Sequence, residues 1–166
     1  MRSTQTSLFT SGNLAFKRDV ANQAERAIAT ALEDLRNGSL ASEATRLANL
    51  ASRNYSATVL PTSPEGIPNV LLTDAAYTAA GFTRADIVDA DSSVTMRYVI
   101  DRQCSAAGAF DTGLCQNISA MAAASGGDTQ NADKSPGADR RPAYRISVRI
   151  SGPRGIQTFV QTTAVL

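Results

Sequence analysis

Cys104 and Cys115 are the only two cysteines of a 166-residue chain that contains no histidine. They bracket Ser105–Leu114, a short polar stretch holding two glycines, and such a spacing suits the neck of a stapled loop. A structural zinc usually takes four Cys or His ligands, and two exist here. A redox pair would be spaced Cys-x-x-Cys. A bridge across this loop would stabilise the fold by about 3 kcal/mol on the loop-entropy model. Such bridges persist outside the reducing cytosol, which places the domain in the periplasm or beyond the cell. Two free structural thiols are the competing state.

The missing histidine prunes the chemistry further. No Ser-His-Asp triad, Cys-His pair or His-bearing metal centre can be built. Lys17 and Lys134 are the only amine side chains, and neither stands in a Ser-x-x-Lys spacing. No Asp or Glu pair is marked by its context. Asp89-Ala90-Asp91 begins like a calcium loop, but Val94 and Ile100 occupy the positions where an EF-hand needs Gly and Glu. Asp89 and Asp91 therefore read as turn residues. No enzyme, catalytic residue, cofactor or metal site is expected.

Sixteen basic residues against fifteen acidic ones leave a net charge of +1, too balanced to advertise nucleic acid or a membrane surface. No run of about 20 apolar residues is present to span a bilayer. The chain opens Met1-Arg2-Ser3-Thr4-Gln5 without an apolar leader. For an exported protein, this implies that an upstream segment has been removed.

The periodicity divides one domain into three parts. Residues 1–38 hold a helix from Asn13 to Asn37, with Val20, Ala24, Ala27, Ile28, Ala31, Leu32 and Leu35 on one face and Gly38 as its stop. Residues 39–92 are a helical and irregular connection: a second helix from Ser39 to about Ser52, a Pro/Gly-rich loop, and one or two turns from Asp74 to Ala80. Residues 93–166 change to a period of two. Val94, Met96, Tyr98 and Ile100 mark one strand, and Tyr144, Ile146, Val148 and Ile150 mark another. Gly152-Pro153-Arg154-Gly155 turns the chain into a third strand, from Ile156 to Leu166. A long insertion, 103–143, separates the first two strands and reads as a solvated excursion. The fold class expected is α+β, a long N-terminal helix packed on a C-terminal antiparallel sheet with a disulfide-clasped loop.

Two groups of motifs carry a resemblance. Gly12-Asn13 is followed one helical stretch later by Ala24-Glu25-Arg26-Ala27, and the chain closes with Tyr144–Pro153 and Thr158–Thr162. In this order and spacing they resemble the soluble portion of a type IV minor pilin of the PilX group. The resemblance implies a pilin-like fold without its membrane-anchoring helical half. It also implies a structural, non-catalytic role in initiating or assembling pili, with a place at the filament tip. The partners implied are other minor pilins, the major pilin and a tip adhesin, with the inner membrane reached through the missing segment. Localisation would be periplasmic and membrane-anchored before assembly, then extracellular. Leu8, Phe9, Leu14 and Phe16, which precede the main helical stripe, are the candidate subunit contacts.

The alternative is an adhesive or ligand-binding surface module, with the 103–143 insertion touching DNA or a host surface. A minor pseudopilin of type II secretion is a near relative of the first reading. Arg97, Arg145, Arg149 and Arg154 could form a polyanion-contacting strand face. The competing role for them is a solvated face with Asp101 as a cross-strand partner. Balanced charge and few aromatic residues disfavour nucleic acid.

Overall fold

A computed structural model describes residues 22–119 and 140–166. Helix α1 runs over 22–36. Its Ala24, Ala27, Ala31 and Leu35 recur at three- and four-residue spacing, and all are buried. The helix ends where Asn37 N and Gly38 N both donate to the Glu33 carbonyl at 2.9 Å. Gly38 is required there by close approach, because a Cβ would stand 2.8 Å from Asp34 Cα.

Three shorter helices follow: α2 (Glu43–Arg46), α3 (Asn69–Leu72) and α4 (Asp74–Ala79). The Thr73 hydroxyl caps α4 by accepting from Ala76 N at 3.1 Å. Six strands make the sheet: β1 (Tyr55–Ser56), β2 (Ile87–Asp89), β3 (Val94–Arg102), β4 (Asn117–Ser119), β5 (Arg140–Ser151) and β6 (Gln157–Val165).

β3 and β5 form its centre, antiparallel, with Tyr98 opposite Val148 and Asp101 opposite Arg145. β6 flanks β5 through the hairpin expected at Gly152–Gly155, its register running from Ser151↔Gln157 to Ala143↔Val165. On the other edge of β3 lie β2, antiparallel, and β1, parallel. Asn54, in the left-handed conformation (φ 52°), turns the chain into that parallel strand.

The expected architecture is therefore corrected. The sheet is mixed rather than antiparallel, and it recruits β1 and β2 from the connection taken as helical and irregular. The long N-terminal helix, expected from Asn13 to Asn37, is not found among the described residues, where α1 covers only 22–36. Among the described residues α1 alone exceeds two turns, and the rest of the helical content is short. The second expected helix, Ser39 to Ser52, is reduced to one turn of α2 and a 3-10 turn, Ala51–Arg53. The physical reason is tertiary. Leu40 and Tyr55 are buried into the core, so this stretch bends to deliver them instead of continuing a helical stripe.

Pairing alternates side chains across the sheet. Met96, Tyr98, Ile100, Tyr144, Ile146, Val148 and Ile150 belong to a large apolar cluster shared with α1, Tyr55, Ala57 and Ala164. Val99 belongs to a second, smaller cluster with Leu71 and Tyr77, against which Leu60, Ile67, Val70, Phe82 and Phe159 pack. The 58–86 segment thus covers the opposite face. Among the described residues no helix is long and apolar enough to cross a membrane.

Candidate ligand-binding cleft

Three of the arginines singled out from the sequence, Arg97, Arg145 and Arg149, lie under that cover. Arg97 Nε and Nη2 hold the two oxygens of Asp86 at 2.6 and 2.7 Å, and Nη1 reaches Asp74 Oδ1 at 2.7 Å. Its guanidinium stacks 4.2 Å from the centroid of the Tyr77 ring. Arg145 Nε and Nη2 hold fully buried Asp101 at 2.9 and 2.7 Å, which is the cross-strand pairing weighed above. Buried Arg149 donates to the Leu71 carbonyl at 3.2 Å and pairs with Asp74. Hydrogen bonds from Arg149 and its positive charge hold the Asp74 carboxyl below its ordinary range. These three guanidiniums already face carboxylates and backbone carbonyls. Arg154 stands in the β5–β6 turn. Leu8, Phe9, Leu14 and Phe16 lie outside the described residues.

Asp89 is the last residue of β2 rather than a turn residue, and its carboxylate braces the turn that follows, which holds Asp91. The Asp89 carboxylate accepts from Ser92 Oγ at 2.8 Å, from Gln23 Nε2 at 2.6 Å and from Asp91 N at 3.3 Å. Among the described residues no cluster of three metal-ligating side chains exists.

Cys104 and Cys115 form a disulfide. The bond sits at a neck closed on both sides by backbone, Ser105 N to Leu114 O (2.8 Å) and Gln116 N to Gln103 O (2.7 Å). The clasped loop folds back so that Gly108 N donates to the Leu47 carbonyl at 2.9 Å, just past α2. Gly108 has φ +106°, a conformation that side-chain-bearing residues rarely adopt. That backbone turn presents its carbonyl to Arg102 Nη1 at 2.7 Å.

Between this loop, α2 and the start of β5 lies a cleft of about 440 Å³. Arg46, Arg102, Arg140 and Arg141 line it, with Glu43, Phe110, Pro142, Tyr144 and Leu166. Arg140 and Arg141 are also engaged in interactions of their own.

Arg102 is the informative member. It is only 2% exposed, and no salt bridge to it exists among the described residues. Its Nε is buried without a hydrogen-bond partner. A charge taken from water with no counter-ion is costly, and satisfied polar contacts are the rule in folded proteins.

Arg46 repeats the arrangement. Its Nη1 donates to the Leu40 and Ala41 carbonyls at 2.6 and 2.8 Å, while its Nε is buried and unpartnered. Tyr144 lies beneath it, with the guanidinium carbon 5.8 Å from the ring centroid. Burial pushes the Tyr144 hydroxyl above its ordinary range, against the pull of Arg46 and Arg102, so the ring stays neutral at physiological pH.

Neither Arg46 nor Arg102 was singled out from the sequence. The alternation of β3 did contain a signal. Arg102 continues the series Val94, Met96, Tyr98, Ile100, which places an arginine on the apolar side of the strand.

Comparison with known proteins identifies no relative: no family model, no curated protein and no solved structure matches the chain.

Proposed function

We propose that the chain is a non-catalytic recognition module of the cell exterior, and that the arginine-lined cleft beside its clasped loop binds an anionic ligand. The observation carrying this reading is Arg102. It is a buried guanidinium in the cleft lining, anchored at one nitrogen by Gly108 and without a salt bridge among the described residues. Buried charge of this kind is stabilised by a counter-ion, and arginine is suited to oxyanions. The formed disulfide supports an oxidising compartment.

Thermal unfolding in increasing concentrations of phosphate, sulfate and acetate, with chloride holding ionic strength constant, tests the reading. Saturable stabilisation by at least one oxyanion is expected, reaching about 2.7 kcal/mol at a hundred times its dissociation constant. It should be absent in Arg102→Gln. A response identical to that in chloride rejects anion binding.

Incorporation into a pilus-like filament is the second reading, favoured by the motifs of the two chain ends. Its architectural half does not stand. Display of the cleft on a filament or cell surface, to an acidic partner, joins the two readings.

A further inference from the structure

The geometry points to an organic carboxylate carried on an apolar body as the occupant of this cleft, an inference that rests on the binding role proposed above. The molecule contains its own reference for the contact. Arg97 and Arg145 each turn the Nε–Nη2 edge to a single carboxylate, at 2.6 and 2.7 Å for Asp86 and at 2.9 and 2.7 Å for Asp101. A planar guanidinium fork matches a planar carboxylate in this bidentate way.

Arg102 and Arg46 are held differently. Backbone carbonyls take Nη1, and the Nε side is left without a partner in both. Neither forms a salt bridge among the described residues, where Arg97 and Arg145 each hold a carboxylate, and both line one cleft.

Two further features narrow the ligand. Glu43 lines the same cleft and disfavours an anion of high charge, so a monoanion fits better than phosphate or sulfate. Phe110, Pro142, Tyr144 and Leu166 supply apolar wall, which an inorganic ion would leave unused. A cleft of about 440 Å³ is of the size that holds a small molecule or the end of a peptide. The same chemistry is offered by a free aryl or alkyl acid and by the terminal carboxylate of a peptide ending in an apolar residue.

Calorimetric titration of the whole chain, with its disulfide intact, tests this. The probes are 3-phenylpropanoate, acetate, inorganic phosphate, and a short peptide ending in phenylalanine with its terminus free or amidated. Binding of 3-phenylpropanoate or the free-terminus peptide at least tenfold tighter than acetate and phosphate is expected, with the amidated peptide silent. The tighter of those two identifies the source. Arg102→Lys keeps the charge and loses the fork, so the preference over phosphate should fall below threefold. Arg46→Lys, at a less buried position, provides the same readout should the first variant fail to fold. Phosphate binding as tightly as 3-phenylpropanoate overturns the carboxylate assignment and leaves the anion cleft standing. Failure of every probe to saturate overturns both.

Discussion

On one face of the β3–β5 pair, Met96, Tyr98, Ile100, Ile146, Val148 and Ile150 meet the alanines of α1. On the other, Arg97, Asp101, Arg145 and Arg149 meet Asp74, Asp86 and the backbone of Leu60 and Leu71. Both faces are covered, yet they resist perturbation differently. The apolar face is stabilised by area removed from water and degrades in proportion to the volume deleted. The charged face depends on mutual satisfaction, so losing one member leaves another stranded in a poorly solvated place. Ser147 Oγ and Arg149 Nε are buried there without partners, which shows how little slack that face has.

The largest expected effect breaks the charged face at its most buried point. Asp101→Ala leaves Arg145 unpaired and also removes the acceptor of Leu60 N and Gln103 Nε2. It should cost about 3–5 kcal/mol in denaturant unfolding. The double variant Asp101→Asn/Arg145→Gln should cost less than Asp101→Ala, and an equal or larger loss would erase the distinction between the faces.

Ile146→Ala, on the apolar face opposite Ile100, should cost about 2–5 kcal/mol, and no second substitution on the strand is expected to recover it. Cys104→Ser/Cys115→Ser should cost about 3 kcal/mol and should also weaken oxyanion binding, because the loop would no longer hold Gly108 against Arg102.

The smallest effect belongs to Asp74→Asn. Asp74 is largely exposed and Asn keeps an acceptor oxygen for Arg97 and Arg149, so loss of the charge alone should be worth under about 1 kcal/mol. The direction with pH is fixed by its lowered pKa. The contribution is present above the carboxyl's unfolded pKa and fades as pH falls through the folded one, so wild type and variant should converge in acid.

The strands with a strict period of two were legible, and so was the turn between them. Val94 to Asp101 and Tyr144 to Ser151 are local patterns, and Gly152-Pro153-Arg154-Gly155 is local turn chemistry. The short turns from Asp74 were visible for the same reason, with Gly81 (φ +76°) ending them. β1 and β2 were not, because strands of two and three residues exist only through pairing with β3.

The face of the arginines was assigned correctly and its surroundings were not. The segment that covers it is rich in Pro and Gly, and its burial shows no helical or strand period. Asn54 illustrates the limit. Its side chain accepts from Tyr77 Oη (2.6 Å) and Arg84 N (3.2 Å) and donates to the Tyr98 carbonyl (2.9 Å), tying the cover to the sheet. Nothing in its neighbours along the chain announces that role. The cleft was half legible, since the cysteine pair pointed to the loop but only the partners of Arg102 gave the loop a purpose.

One detail of the neck carries further than its size suggests. Gln103 N donates to the Ala143 carbonyl, and Ala143 N donates to the Gln116 carbonyl, both at 2.9 Å. The loop therefore starts at the end of β3 and returns at the start of β4 against one and the same residue of β5. With its two ends fixed at that residue and Gly108 hydrogen-bonded to Leu47 and Arg102, the ten residues inside the bridge form a wall of the cleft whose place is set by the sheet.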